Sequence, residues 1–140
     1  MKKILTACFL FISLFTFGQN YQSLDTIQAP ASYENIYNCP VYSDSLASSF
    51  VIFIKKEVKA HKHVMHSEHV YVLDGEGEMM VGDASASLST SKKFTVKKGD
   101  IIFIPKGSVH SLTVVKSPMK VLSIQSPMFD GKDRVMIEQK

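Results

Sequence analysis

At 140 residues, with 45 % apolar and 21 % charged side chains, the chain is long enough for one globular domain and too short for two. Its net charge is only +3 and no basic run is longer than a pair, so nothing in the composition points to nucleic acid. Lys92-Lys93 and Lys97-Lys98 read as solvated turn edges.

Residues 1–18 read as a secretory signal. Lys2 and Lys3 form a basic start, Ile4 to Phe17 is an apolar run, and Thr16-Phe17-Gly18 places small residues where a signal peptidase reads them. Cleavage is expected before Gln19, leaving a mature charge of about +1 and an exported, periplasmic or extracellular, protein. The run is too short for a comfortable membrane span and lacks a basic stop behind it. A rival reading takes Leu5-Thr-Ala-Cys8 as a lipoprotein box, but there the apolar run follows the cysteine instead of preceding it. Once Cys8 leaves with the signal, Cys39 is the one cysteine remaining, either buried and inert or a reactive thiol.

Residues 19–45 form an N-terminal arm. Its first part is polar and aperiodic; Tyr33 to Tyr42 is aromatic-rich, and Pro40 blocks a continuous helix, so this part reads as a strand-like lead-in packing outside the domain. The domain proper spans 46–140. Phe50 to Ile54 is a continuous β-prone run of a strand buried on both faces, and Lys55 to Lys59 continues it with polar alternation. His69 to Leu73, a turn at Gly75-Glu-Gly77, and Glu78 to Val81 follow. Ala84 to Lys93 is Ser-rich with Leu88 as its one bulky apolar residue, and reads as a mobile excursion. Phe94 to Val96 resumes a strand, and Ile101 to Ile104 is another buried run. After the turn at Pro105-Lys-Gly107, two further strands cover Val109 to Val115 and Met119 to Ile124, with a last one at Val135 to Ile137. No stretch sustains a helical period, and strands about 8–12 residues apart predict an all-β sandwich or barrel.

The chemistry concentrates in His61 to Gly75, which holds four of the five histidines. His61 and His63 are two apart, so in an extended strand both imidazoles share one face. Glu68 opens the next apolar strand on the face continued by Val70 and Val72, and His110 follows the Pro105-Gly107 turn. Three imidazoles and one carboxylate suit a divalent transition metal. The plainer reading of the first stretch alone is an exposed histidine cluster with adventitious metal affinity. His69, next to Glu68, faces outward and reads as solvated. His66 lies in the bend and, with Tyr71, which shares the outward parity of His69, is a local candidate for a catalytic acid or base, or is merely solvated. Met65, Met79 and Met80 could signal copper, but Met79 and Met80 point opposite ways, so one of them belongs to the core.

His61-x-His63-x4-Glu68-x6-Gly75 followed by Gly99-x5-Pro105-x-Gly107-x2-His110 resembles the two motifs of the cupins, in the right order, over Phe50 to Gln125. A glycine common at the start of the first motif is Lys55 here, and an asparagine common at the end of the second is Val114; neither position supplies a ligand in that family. The resemblance implies a double-stranded β-helix, the jelly-roll barrel. It also implies one metal ion (Zn, Fe, Mn, Ni or Cu) on His61, His63, Glu68 and His110. The expected function is that of a secreted metalloenzyme acting on a small organic molecule, by isomerase, lyase or dioxygenase chemistry. The alternative is a non-catalytic metal or small-ligand binding protein. The expected partner is a small molecule, with no membrane insertion after signal removal and, by analogy, a homodimer through outer sheet faces at the Tyr33 to Tyr42 lead-in. Arg134, the only arginine, sits near the end, so the cavity wall is expected to carry few charges and to disfavour a phosphorylated sugar.

Overall fold

The computed structural model describes residues 21–83 and 91–137. The expected signal at 1–18, the cut before Gln19, the Cys8 alternative and residues 84–90 of the Ser-rich excursion lie outside them. A 3-10 turn, Leu24–Thr26, precedes eight strands: β1 Ile36–Ser43, β2 Ser48–Ile54, β3 Glu57–Lys62, β4 Ser67–Val81, β5 Lys92–Lys97, β6 Ile101–Ile104, β7 His110–Ser126 and β8 Val135–Met136.

Two long strands organise the rest. β4 and β7 pair antiparallel from Ser67↔Ser126 to Val81↔His110, with register irregularities between Val72 and Gly77. This ribbon is folded over at those irregularities, and each half serves one layer. In one layer, β1 and β2 flank the second half of β7, and β6 flanks the first half of β4. In the other, β8 and β3 flank the first half of β7, and β5 flanks the second half of β4. The result is a double-stranded β-helix, a jelly roll, with almost every described element a strand.

The fold at mid-ribbon corrects two sequence expectations. Gly75-Glu-Gly77 does not end a strand; β4 runs through it. Likewise β7 runs through Lys116-Ser-Pro118, where two separate strands were expected. The glycines serve closeness. Gly75 has φ +88°, and a Cβ there would lie 2.8 Å from Met119 Cα. A Cβ on Gly77 would lie 2.7 Å from Met119 Sδ and 2.9 Å from the Thr113 carbonyl. Met119, fully buried, fills the inside of the bend.

Strand alternation sorts the remaining side chains. Ile54, Val72, Met79, Val96, Ile102, Ile104, Leu112, Met119 and Val121 form the core between the layers; each such buried side chain contributes about 1.5–3 kcal/mol. A smaller cluster lies outside the first layer. There Ile27, Leu24 and Tyr33 of the arm cover Val51, Phe53, Leu73 and Leu122. Tyr37, Cys39 and Val41 of β1 join that outer cluster, whereas Ile36 and Asn38 line the interior cavity, so the lead-in is part of the wall as well as its outside. Ile101 and Phe103 face outward and are exposed, so the run Ile101–Ile104 alternates where full burial was expected. With Tyr71 and Ile124 they leave an apolar strip on the outer face of β6, β4 and β7.

Candidate metal centre

The open end of the folded ribbon gathers the titratable residues. His61 on β3 lies directly across from His110 at the start of β7. His63 follows β3, and the Gly107 N–H donates to its carbonyl at 2.6 Å, which ties the Pro105-Gly107 turn to the histidine strand. Glu68 comes from the facing layer, at the head of β4. His61, His63, His110 and Glu68 are all buried. One ring nitrogen from each of His61, His63 and His110 lies within 4.8 Å of the others. Glu68 Oε2 is 3.5 Å from Nε2 of both His63 and His110.

The backbone decides which ring nitrogens face inward. His61 Nδ1 lies 2.8 Å from the Lys59 carbonyl, His63 Nδ1 2.5 Å from the Asp133 carbonyl and His110 Nδ1 3.1 Å from the Ser108 carbonyl. A carbonyl only accepts, so each Nδ1 carries the proton. In the neutral rings every Nε2 is then a bare lone pair, and those of His63 and His110 face the Glu68 carboxylate. Lone pairs against a carboxylate in a buried site require a cation between them. Metal ligands about 2.1 Å from one ion stand about 3–4 Å apart. The three imidazoles could therefore hold a metal ion, with the Glu68 carboxylate 3.5 Å from two of them.

Without an ion, a proton takes its place. Burial pushes His63 down, but the Glu68 carboxylate and the Asp133 carbonyl and carboxylate outweigh it, so His63 is raised. Burial would raise Glu68, but His110, His63 and Ser123 hold it well below the carboxylate range. His61 is pushed down to about 3 by burial, by His110 and by Arg134, and stays neutral.

Four residues at this site escaped the sequence reading. Ser123, fully buried on β7, donates its Oγ–H to Glu68 Oε1 at 2.5 Å and accepts from Gln125 Nε2 at 3.3 Å. Their signal was available: Met119, Val121, Ser123 and Gln125 share the inward parity of an apolar strand, and two of them are polar. Asp133 takes the N–H groups of Val64, Met65 and His66 on its carboxylate at 2.8, 2.6 and 3.1 Å, closing the bend between β3 and β4. Arg134 lines the cavity beside His61, against the expectation of a wall nearly free of charge. Tertiary pairing of β8 with β3 brings both there, at Lys62↔Val135 and His61↔Met136.

His66 is neither solvated nor at the cavity mouth. It is 1 % exposed and stacks behind His63 with ring centroids 4.1 Å apart. Its Nδ1 lies 2.9 Å from Asp133 Oδ2 but off line, and neither ring nitrogen has an aligned partner among the described residues. Burial lowers its pKa. His63, His66 and Asp133 form a second group of metal-capable donors, but the Asp133 oxygens already accept the bend's N–H groups. His69 is exposed and packs edge-on against Phe103 outside. Met79 belongs to the core and Met65 is exposed.

The cavity between the layers is about 130 Å³. Ile52, Ile54, Val58, Val70, Ile104 and Leu112 supply its apolar wall, the histidines and Glu68 its inner end, and Asn38, Gln125 and Arg134 its other polar groups.

The profile of the cupin domain family matches residues 50–125. An uncharacterized protein of Aquifex aeolicus is 37 % identical over 91 residues, covering 65 % of this chain and 69 % of the relative. An uncharacterized Klebsiella pneumoniae protein with a double-stranded β-helix domain superposes with a TM-score of 0.67 at 21 % identity, over 86 % of this chain and 98 % of that one. Streptomyces PAC13 with uridine superposes with a TM-score of 0.57 at 16 % identity, over 69 % and 72 %.

Proposed function

Because this chain belongs to the cupin family, we propose that it binds one divalent transition metal on His61, His63, Glu68 and His110 and a small organic molecule in the adjoining cavity, as a metalloenzyme. The observation that supports this most is the pinning of three Nδ1 protons by three backbone carbonyls, which leaves the inner nitrogens as lone pairs around a buried carboxylate. A bound ion supplies Lewis-acid chemistry, or redox chemistry if it is iron, manganese or copper. The chain's own residues do the rest. Glu68 offsets the ion's charge, Ser123 holds Glu68 in place, and the apolar wall excludes water from the reacting group. Streptomyces PAC13, of the same fold, is seen with uridine, a molecule of the class proposed here.

Isomerase and lyase chemistry move a proton. Among the described residues lining the cavity, the imidazoles and carboxylates are the proposed ligands themselves, with His66 stacked behind them. That favours dioxygenase-type chemistry among the three, and it is also the observation behind the second reading, a protein that binds its ligand without turning it over. Metal analysis of protein purified without chelator or histidine tag tests the central proposal. One equivalent of metal, lost in a His63→Ala variant, is the expected result; metal-free protein that takes up none on titration would refute it. We also propose export, on the strength of Lys2-Lys3 and the apolar run behind them, with Gln19 as first residue. Intact mass of the secreted product tests that.

A further inference from the structure

Arg134 is not among the proposed metal ligands, yet its surroundings give it a chemical role. Its Nη2 lies 3.4 Å from His61 Nδ1, a nitrogen already donating to the Lys59 carbonyl at 2.8 Å. Two donors therefore meet, and the Arg134 contact is no hydrogen bond. Among the described residues no carboxylate lies within ion-pair distance of the guanidinium. The side chain nonetheless lines the cavity, and the β8–β3 pairing fixes its backbone there. An arginine fork beside an apolar cavity, without an acceptor, is built for an anion that arrives with the ligand.

The size and charge of the site narrow the anion. A cavity of about 150 Å³ accommodates benzene, so 130 Å³ suits a ligand of similar size. Among the described residues the lining includes no lysine, and Arg134 is its one fixed cation. One guanidinium fork is filled by one carboxylate, and the apolar wall beside it suits a hydrocarbon body.

We propose that Arg134 anchors the carboxylate of a short, branched or cyclic monocarboxylic acid, whose hydrocarbon body lies against Ile52, Ile54, Val58 and Leu112. This deepens the reading of a metal-dependent small-molecule site and rests on it. Arg134 is a specificity-determining residue on this account, placed beside His61 on the side of the ring away from the shared donor cluster.

The test uses the intact protein as purified with its metal, and titrates 4-methylpentanoate, the matched amide 4-methylpentanamide and inorganic phosphate by calorimetry. Metal content is measured on the same samples. The expected result is an acid-over-amide preference of at least about tenfold, lost in Arg134→Gln and partly kept in Arg134→Lys, at unchanged metal content. Equal binding of acid and amide by the wild type would overturn the proposal. So would an Arg134→Gln variant that keeps the preference, or phosphate binding tighter than the acid. Failure of the metal reading is separately visible, as protein without metal whose acid preference still depends on Arg134.

Discussion

Replacing Ser123 by alanine separates a positioned carboxylate ligand from a bystander. The hydroxyl is fully buried, donates to Glu68 Oε1 at 2.5 Å and accepts from Gln125 Nε2 at 3.3 Å. Its removal strands a buried amide donor and one carboxylate oxygen, a cost of about 1–3 kcal/mol in fold stability. It also frees Glu68 to rotate away from His63 and His110. Loss of a group that orients a ligand weakens metal binding about 10–100-fold, or about 1.4–2.8 kcal/mol. Competition of the apoprotein with a chromophoric chelator for Zn²⁺ reads the affinity, and urea unfolding of the apoprotein reads the stability. His69→Ala, changed outside the barrel, serves as control. The reasoning fails if Ser123→Ala holds Zn²⁺ within about threefold of wild type while His63→Ala loses it. Glu68 would then not be a ligand, and the site would consist of the three imidazoles.

His110→Ala should lose the metal and the stabilisation the metal gives, whereas His69→Ala should do neither; the reverse outcome, read by metal analysis and melting, would place the cluster on the surface. Acid should destabilise the apoprotein. His61 titrates at about 3 when folded against 6.5 when free. The unfolded chain therefore binds its proton first, and stability present above pH 6.5 is lost on the way down by up to about 1.4 kcal/mol per pH unit. Glu68, held below its free value, acts in the same direction, and His63, raised, in the opposite one. Equal urea midpoints at pH 7 and pH 4.5, or an unchanged slope in His61→Asn, would contradict this. Gly75→Ala should cost about 2–4 kcal/mol by thermal unfolding, since its Cβ meets backbone at 2.8 Å with φ at +88°. A homodimer through the exposed strip of Tyr71, Ile101, Phe103 and Ile124 is expected, with Phe103→Glu monomeric; light scattering at micromolar concentration checks it.

The grouping of His61, His63, Glu68 and His110, the proposed donors, was readable because its geometry is local. A spacing of two puts His61 and His63 together, parity sends Glu68 inward with Val70 and Val72 and His69 outward, and the Pro105-Gly107 turn announces His110. Ser123 and Gln125 share the same parity, but a serine and a glutamine in an apolar strand carry no sign of the partner they hold. Asp133 and Arg134 were not readable. Their place depends on β8 pairing with β3 more than 70 residues earlier; a strand at Val135 to Ile137 was expected, but so short a run gives no sign of its partner. The continuous strands β4 and β7 were split in the reading because glycine and proline mark reversals and tight bends alike. Which one they mark depends on whether a side chain such as Met119 fills the space beside them.

The fold in the β4–β7 ribbon also acts as a lever. From the bend at Gly75–Gly77 and Met119, each half runs roughly 20 Å to the open end where Glu68 and His110 face one another, at about 3.3 Å per residue. Over that arm an opening of only ~5° separates the two ends by almost 2 Å, while metal–ligand distances tolerate about 0.2 Å. If the proposed ion is bound, its occupancy would gauge the angle between the layers to within about a degree. A change of packing at Met119, touching none of the proposed donors, would then act on the site through leverage alone.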